Sequence, residues 1–225
     1  MTDRPILFSA PMIRALLAGT KTQTRRLIPQ KTQEAYWEYD EWCSNVSAGV
    51  PTYRTWEREF YLERSRYAGG DRLWCKETWG YDWYDDGQSR AHKRVVYRAD
   101  PGAQPMDNGD PVGWRPSIFM PRSASRITLI VTGVKVERLQ EISEEDAWAE
   151  GVCTWCEGLD KVPWTGLSID DRRGLVRSTY GSAVNAYRHL WEHINGPDSW
   201  SENPWVSATA FDVHKQNIDT LKEAA

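Results

Sequence analysis

Long apolar runs are missing from this chain. None approaches the roughly 20 residues a membrane-spanning helix needs, which argues against a helical membrane protein. Cysteine is scarce: Cys43, Cys75, Cys153 and Cys156 are the only four in 225 residues. That is too few for a disulfide scaffold at this size. The opening Met-Thr-Asp-Arg-Pro puts an acid and a proline where an export signal carries lysines and an apolar stretch. The thiols are therefore expected to be reduced, in a cytoplasm. An excess of positive charge is also missing. Lys and Arg number 28 against 32 acids, a net charge of -4, which argues against a protein that coats nucleic acid by bulk charge. Internal repeats and low-complexity blocks are absent, and a collagen-like chain is excluded.

Tryptophan is abundant, with 13 in the chain. The indole N–H is costly to bury unpartnered, so such an excess points to flat stacking surfaces as well as core. The length fits one large domain with a core that needs no staples.

The local signals place short strands between a few helices. Ile6-Leu7-Phe8 reads as a strand. Ser9 then caps a helix, Met12, Ile13, Leu16 and Leu17 share one face, and Gly19 ends it. Residues 31–69 are crowded with aromatics and charges, fit no period, and read as an insertion with short elements. After the turn signal Gly69-Gly70-Asp71, Arg72 to Trp79 reads as a strand. Residues 80–93 read as a loop, Arg94 to Ala99 as a strand and 100–117 as a long connection. Ile127 to Val136 is the clearest strand, β-branched almost throughout. Ser143 with Asp146 three residues on resembles a capping box, and the helix it opens ends at Glu150-Gly151. Residues 153–178 read as a second insertion. Ala183, Val184, Tyr187, Leu190, Trp191 and Ile194 mark an amphipathic helix stopped by Gly196-Pro197. Trp205 to Val213 is the last strand. Strands and crossover helices do not alternate, so a doubly wound sheet is not expected. The pattern fits an α+β fold in a single domain, a small mixed β-barrel with helices packed outside and two insertions.

Charge is segregated. Arg14 to Lys31 carries five basic residues and no acid, Pro111 to Val136 four and no acid, and Glu137 to Glu150 six acids against Arg138. Lys21-Thr22-Gln23-Thr24-Arg25-Arg26 directly follows the first helix. Cations there offset the helix dipole, but that does not explain the hydroxyls beside them. In a turn, Lys21 and Thr24 can meet; in an extended chain Thr24 and Arg26 share a face. A neutral Lys beside a Thr hydroxyl can activate a nucleophile, and Arg25, Arg26 and burial would favour the neutral form.

Gly19-Thr20-Lys21-Thr22-Gln23-Thr24-Arg25-Arg26 after a short helix resembles the signature of the ASCH domain family, whose fold is PUA-like. Gly70-Asp71-Arg72-Leu73-Trp74, the strand Ile127 to Val136 and the helix ending in Glu150-Gly151-Val152 agree with that resemblance. Arg-Pro-Ile-Leu-Phe-Ser-Ala-Pro-Met and Trp-Arg-Pro-Ser-Ile-Phe-Met-Pro-Arg are similar to segments of its larger phage and prophage members. The resemblance implies a protein of a bacterial host or its phage whose partner is a modified nucleoside or nucleic acid, with no cofactor. Many members carry Glu where this chain has Thr24. A member with Thr there removes acetyl from N(4)-acetylcytidine, which implies Lys21, Thr24 and Glu150 as catalytic residues and Arg26 at the substrate. The expected activity is an amidohydrolase of N(4)-acylated cytosine nucleosides, with Arg26 or backbone N–H groups at the oxyanion and Trp74 or Trp79 stacked on the base. The alternative is a non-catalytic nucleic-acid module, with Lys21, Arg25, Arg26 and Arg122 on phosphates, or a ribonuclease using the same basic cleft.

Three further features are open. Cys153 and Cys156 have the spacing of half a zinc site, which Cys43, Cys75, His189 or His193 could complete, or they are two small thiols. Glu77 is a second pocket carboxylate, or a partner for Arg72 or Lys76. Thr22 is the other possible hydroxyl.

Overall fold

The computed structural model describes residues 2–46, 53–85, 91–107, 109–154 and 167–221. In chain order the elements are β1 (Asp3–Leu7), α1 (Ala10–Leu17), β2 (Gln23–Leu27), α2 (Gln30–Val46), α3 (Tyr53–Glu63), β3 (Arg72–Lys76), β4 (Trp79–Asp85) and β5 (Ala91–Tyr97). The two-residue strands β6 (Met106–Asp107) and β7 (Asp110–Pro111) follow, then β8 (Thr128–Arg138), α4 (Glu144–Ala149), α5 (Ile169–Tyr180), α6 (Ala183–Asn195) and β9 (Trp205–His214). Among the described residues no helix is long and apolar enough to cross a membrane.

The class is α+β, with two mixed sheets. The larger has the order β1-β3-β8-β9-β2, and the smaller β5-β4-β6-β7. Among the described residues only β1 with β3 and β4 with β6 run parallel. Neither sheet closes into a barrel, which corrects the barrel expected from the sequence. The edge strands β1 and β2 face each other across a gap, spanned by the Arg26 guanidinium donating to the Leu7 carbonyl at 2.7 Å. No ladder joins them.

The larger sheet is covered on both faces. Leu73, Leu129, Val131 and Phe211 pack with Ile13 and Leu16 of α1. A bulge between Val131 and Gly133 shifts the register of β8 against β9. Beyond it the parity of the strand changes, so Val134 joins the same cluster as Val131 and Val136 turns toward Tyr36, Phe60 and Tyr61 of α2 and α3. On the opposite face Val206 and Leu139 pack with Ala147, Val176, Tyr187, Leu190 and Trp191 of α4, α5 and α6.

The segments without a clear period are the ones the structure redraws. Residues 30–46 and 53–63 are helices of 17 and 11 residues. Tyr36 is the buried anchor of the first, packed edge-on against Phe60 at 5.4 Å. Among the described side chains of this helix, residues 30–41, Tyr36 alone is buried, so that stretch shows almost no apolar stripe. Of residues 80–93, expected as a loop, 80–85 and 91–93 are strand, held in a seven-residue antiparallel ladder from Trp79↔Tyr97 to Asp85↔Ala91. The long connection holds β6 and β7, and the second insertion holds α5.

Candidate active site

The site is built where the turn after α1 meets the end of α4. Gly19, at φ +72, turns the chain out of α1. The Thr20 and Lys21 amides then donate back to the Ala15 carbonyl. Lys21 pairs with Glu150 as an isolated antiparallel bridge, and the Thr22 amide donates to Ala149 at 2.8 Å. Ser143 caps α4 by accepting from the Asp146 amide, and three acids in its first turn suit the positive end of the helix. Glu150 follows its last turn. Gly151 stands at φ +83, and a Cβ there would lie 3.0 Å from both the Ala15 and Lys21 Cβ atoms. Glycine at this position lets the end of α4 settle against Lys21.

Lys21 is fully buried. Its Nζ donates twice, both times to Glu150: to the carboxylate Oε2 at 2.8 Å and to the backbone carbonyl at 2.9 Å. It does not donate to Thr24. Glu150 Oε1 accepts from Arg25 NH1 at 3.1 Å. Arg25 in turn donates to Glu137 Oε1 from Nε at 3.0 Å and from NH2 at 2.7 Å, and to Asp146 Oδ2 at 2.9 Å. Lys135 closes the set by pairing with Glu137 and Asp146. Lys21, Arg25 and Lys135 thus balance Glu137, Asp146 and Glu150.

The balance sets the protonation states. Burial pushes the Lys21 pKa below its ordinary value; the Glu150 carboxylate opposes this, and Arg26 and Arg25 add to it. Burial works against the charge on Arg25, but Glu150 and Glu137 hold its pKa above the ordinary value. For Asp146 burial is outweighed by Lys135 and Arg25, so its pKa falls. Burial, with Glu150 nearby, drives the Tyr187 phenol well up, so it stays protonated.

Beside the network lies a cavity of about 290 Å³. Thr24, only 2% exposed, lines it together with Glu150, Arg26, Tyr187, Trp191 and Met12. The hydroxyl expected as nucleophile and the carboxylate expected beside it therefore share one space, with Lys21 in contact with Glu150. Arg26 lies at the cavity, its guanidinium 5.6 Å from the Phe8 ring.

Other expected residues go elsewhere. Arg25 lines the cavity, but its side-chain hydrogen bonds run to the carboxylates of Glu137, Glu150 and Asp146. Trp74 is on β3 and lines neither this cavity nor the gap between β1 and β2, with Lys76 Nζ 5.3 Å from its ring. Glu77 is buried and holds Arg126 through two 2.9 Å bonds. Burial raises its pKa, against the pull of Arg126. Trp79 packs with Met120 and Ala124, away from Thr24. Arg122 is taken by Asp3 and Asp219. The Thr22 backbone bonds to Ala149 and Phe211. Cys153 is a buried free thiol in the helical cluster, and Cys156 lies outside the described residues. Among the described residues no group of three or more His, Cys, Asp or Glu could hold a metal ion.

Tyr187, Glu137 and Asp146 were not singled out from the sequence. Tyr187 and Trp191, four apart, look like the core stripe of an amphipathic helix, which they also are. Only the docking of α6 over Thr24 turns that stripe into a cavity wall.

No family model matches the chain, and neither a curated protein nor a solved structure does.

Proposed function

We propose that this protein is an amidohydrolase that removes the acyl group from N(4)-acylated cytosine nucleosides, as its resemblance to ASCH proteins implies. The observation that carries the reading is the meeting of Thr24 and Glu150 in one cavity, with Glu150 held by the fully buried Lys21. On this reading the five-stranded sheet is an opened PUA-like barrel, with the Arg26–Leu7 contact at its seam. The setting would be the cytoplasm of a bacterial host or of a phage-infected cell.

The Thr24 Oγ1 attacks the amide carbonyl, forming the C–O bond. Its proton passes through the Glu150 carboxylate to Lys21, whose burial favours the neutral amine. The Tyr187 phenol, kept protonated by burial, donates to the oxyanion, and Arg26 adds positive charge at the cavity. When the tetrahedral centre collapses, the C–N bond breaks and the proton returns to the leaving cytosine amine. Water then hydrolyses the acyl-threonine ester by the same relay and leaves the free carboxylic acid.

The purely binding alternative finds less support. Of its four proposed phosphate contacts, Lys21, Arg25 and Arg122 are already engaged by carboxylates. The test is release of cytidine from N(4)-acetylcytidine by purified protein, followed by chromatography. Thr24→Val removes the hydroxyl at nearly constant shape and should abolish turnover, while Thr24→Ser should retain part of it. A wild-type protein that turns over neither N(4)-acetylcytidine nor its 5′-monophosphate nor an oligonucleotide carrying the acylated base would sink the reading.

A further inference from the structure

The gap between the edges of β1 and β2 is a second cleft, also of about 290 Å³. Tyr61 and Tyr67 give it an aromatic floor at the end of α3, and Ser65 offers a hydroxyl. Three guanidinium groups line it, those of Arg26, Arg64 and Arg66, and no lining residue is a carboxylate. In a chain of net charge -4 this is an unusual concentration of positive charge.

The cations are poorly neutralised. Arg26 spends one bond on the Leu7 carbonyl and has no carboxylate partner among the described residues. Arg66, exposed beside the Tyr67 ring at 5.5 Å, has none either. Arg64 stacks over Phe60 at 3.6 Å and donates to its carbonyl at 3.3 Å, and its one ion pair among the described residues, with Glu63 at 3.5 Å, involves a carboxylate that is 77% exposed. Such a pair is weak and screened. Buried arginines elsewhere in the sheet region are matched, as Arg25 is by Glu137, Asp146 and Glu150, and Arg126, half-buried, by Glu77 and Asp100. Burial raises the Tyr67 phenol, and Arg66, Arg26 and Arg4 all pull the other way, so three guanidinium fields converge on this floor. Like charges gathered without an anion repel one another, and a bound anion would relieve that repulsion. Flat guanidinium forks suit phosphate oxygens.

Arg26 and Leu27 line both this cleft and the Thr24 cavity, so the two spaces adjoin. We propose that the β1–β2 cleft binds a phosphate group of the substrate, so that the ligand of the adjoining Thr24 site is a nucleotide or a nucleic-acid strand and not a free nucleoside. The identity of the base rests on the hydrolase reading above; the anion site does not.

The experiment measures binding to the full chain by calorimetry. Its probes are inorganic pyrophosphate, cytidine 5′-monophosphate, cytidine and a short oligocytidylate. Each charge-assisted contact is worth about a tenfold change in affinity, so the monophosphate should bind at least about tenfold more tightly than cytidine. The double variant Arg64→Gln/Arg66→Gln, which changes two residues on an exposed turn, should erase that advantage, weaken pyrophosphate binding and leave cytidine binding unchanged. Its binding should also be less sensitive to salt. A monophosphate that binds no better than cytidine overturns the proposal, and so does a double variant that binds pyrophosphate and monophosphate as tightly as wild type. Stronger binding of the oligocytidylate than of the monophosphate assigns the phosphate to a strand, and the reverse assigns it to a nucleotide. Arg64- and Arg66-dependent pyrophosphate binding without amide hydrolysis leaves the anion site standing and removes the hydrolase. Hydrolysis that ignores both the phosphate and the double variant does the opposite.

Discussion

Lys21 and Glu150 meet three times: through the backbone as an antiparallel bridge, and from the fully buried Nζ to the Glu150 carbonyl at 2.9 Å and to its buried carboxylate as a 2.8 Å ion pair. The backbone contact holds the two chains in place, and the side-chain contact makes each ion tolerable inside the protein. The same pair that would serve the chemistry is therefore also part of the fold.

That double role predicts a particular mutational pattern. Lys21→Met leaves Glu150 with only Arg25 as its cation, and Glu150→Gln leaves the Lys21 ammonium buried without a charge partner. Each single change should cost about 3–5 kcal/mol in urea unfolding, as expected when one half of a buried pair is removed. The double variant Lys21→Met/Glu150→Gln should lose clearly less than the sum. Additive losses would mean that the two residues are not energetically coupled. Loss of activity in either single variant must accordingly be read beside its stability, whereas Thr24→Val is not expected to disturb a charge.

The pH dependence follows from the direction of two shifts. The Lys21 pKa is depressed in the folded chain relative to its ordinary value of 10.5, so between the two the unfolded chain binds more protons. Its contribution to stability should therefore rise with pH in that window. Turnover should rise as well, as Lys21 loses its proton below pH 10.5. Asp146 is lowered from 3.8 by Lys135 and Arg25 against the effect of burial, so its stabilisation is complete above that value and is lost as pH falls through the folded pKa. Urea midpoints from acid to alkaline pH check the stability limbs, with Asp146→Asn flattening the acid one. An activity profile that falls with increasing pH in the Lys21 window would contradict Lys21 as the proton acceptor.

Gly151→Ala should be costly for a residue that touches no ligand. Its φ of +83 disfavours any L side chain, and the new Cβ would sit 3.0 Å from the Ala15 and Lys21 Cβ atoms. The combined strain should amount to about 1–3 kcal/mol, measured by thermal or urea unfolding. A neutral effect would mean that the junction of α1, Lys21 and α4 yields more easily than its contacts indicate.

Tyr187→Phe separates catalysis from packing. The ring fills the cluster behind Thr24, and Phe keeps it. Loss of the hydroxyl donor should lower kcat with little change in KM, by about 10²–10³ if the phenol holds the oxyanion. Equal unfolding midpoints for the two proteins would show that the loss is chemical. An unchanged kcat would remove Tyr187 from the mechanism.

Short-range signals were enough for elements whose pattern repeats within a few residues. Ser143 capping the Asp146 amide, α6 between Ser182 and Gly196, and the β-branched run of β8 are all readable locally. So was the closeness of the Lys21 segment to a helix end. β4 was not, because its pairing to β5 decides its conformation, and α2 was not, because over residues 30–41 Tyr36 is the one buried side chain and no stripe shows. The roles of the charged residues were decided by distant partners. Arg25 stands 112 residues from Glu137 and 125 from Glu150, and Lys21 stands 129 from Glu150. In sequence Arg25 and Arg26 are adjacent and alike. The pleat of β2 sends one guanidinium into a ring of carboxylates and leaves the other between two cavities. Coulomb energy in a protein depends on which charges the fold brings together and how much water it excludes, and neither is written in the local pattern.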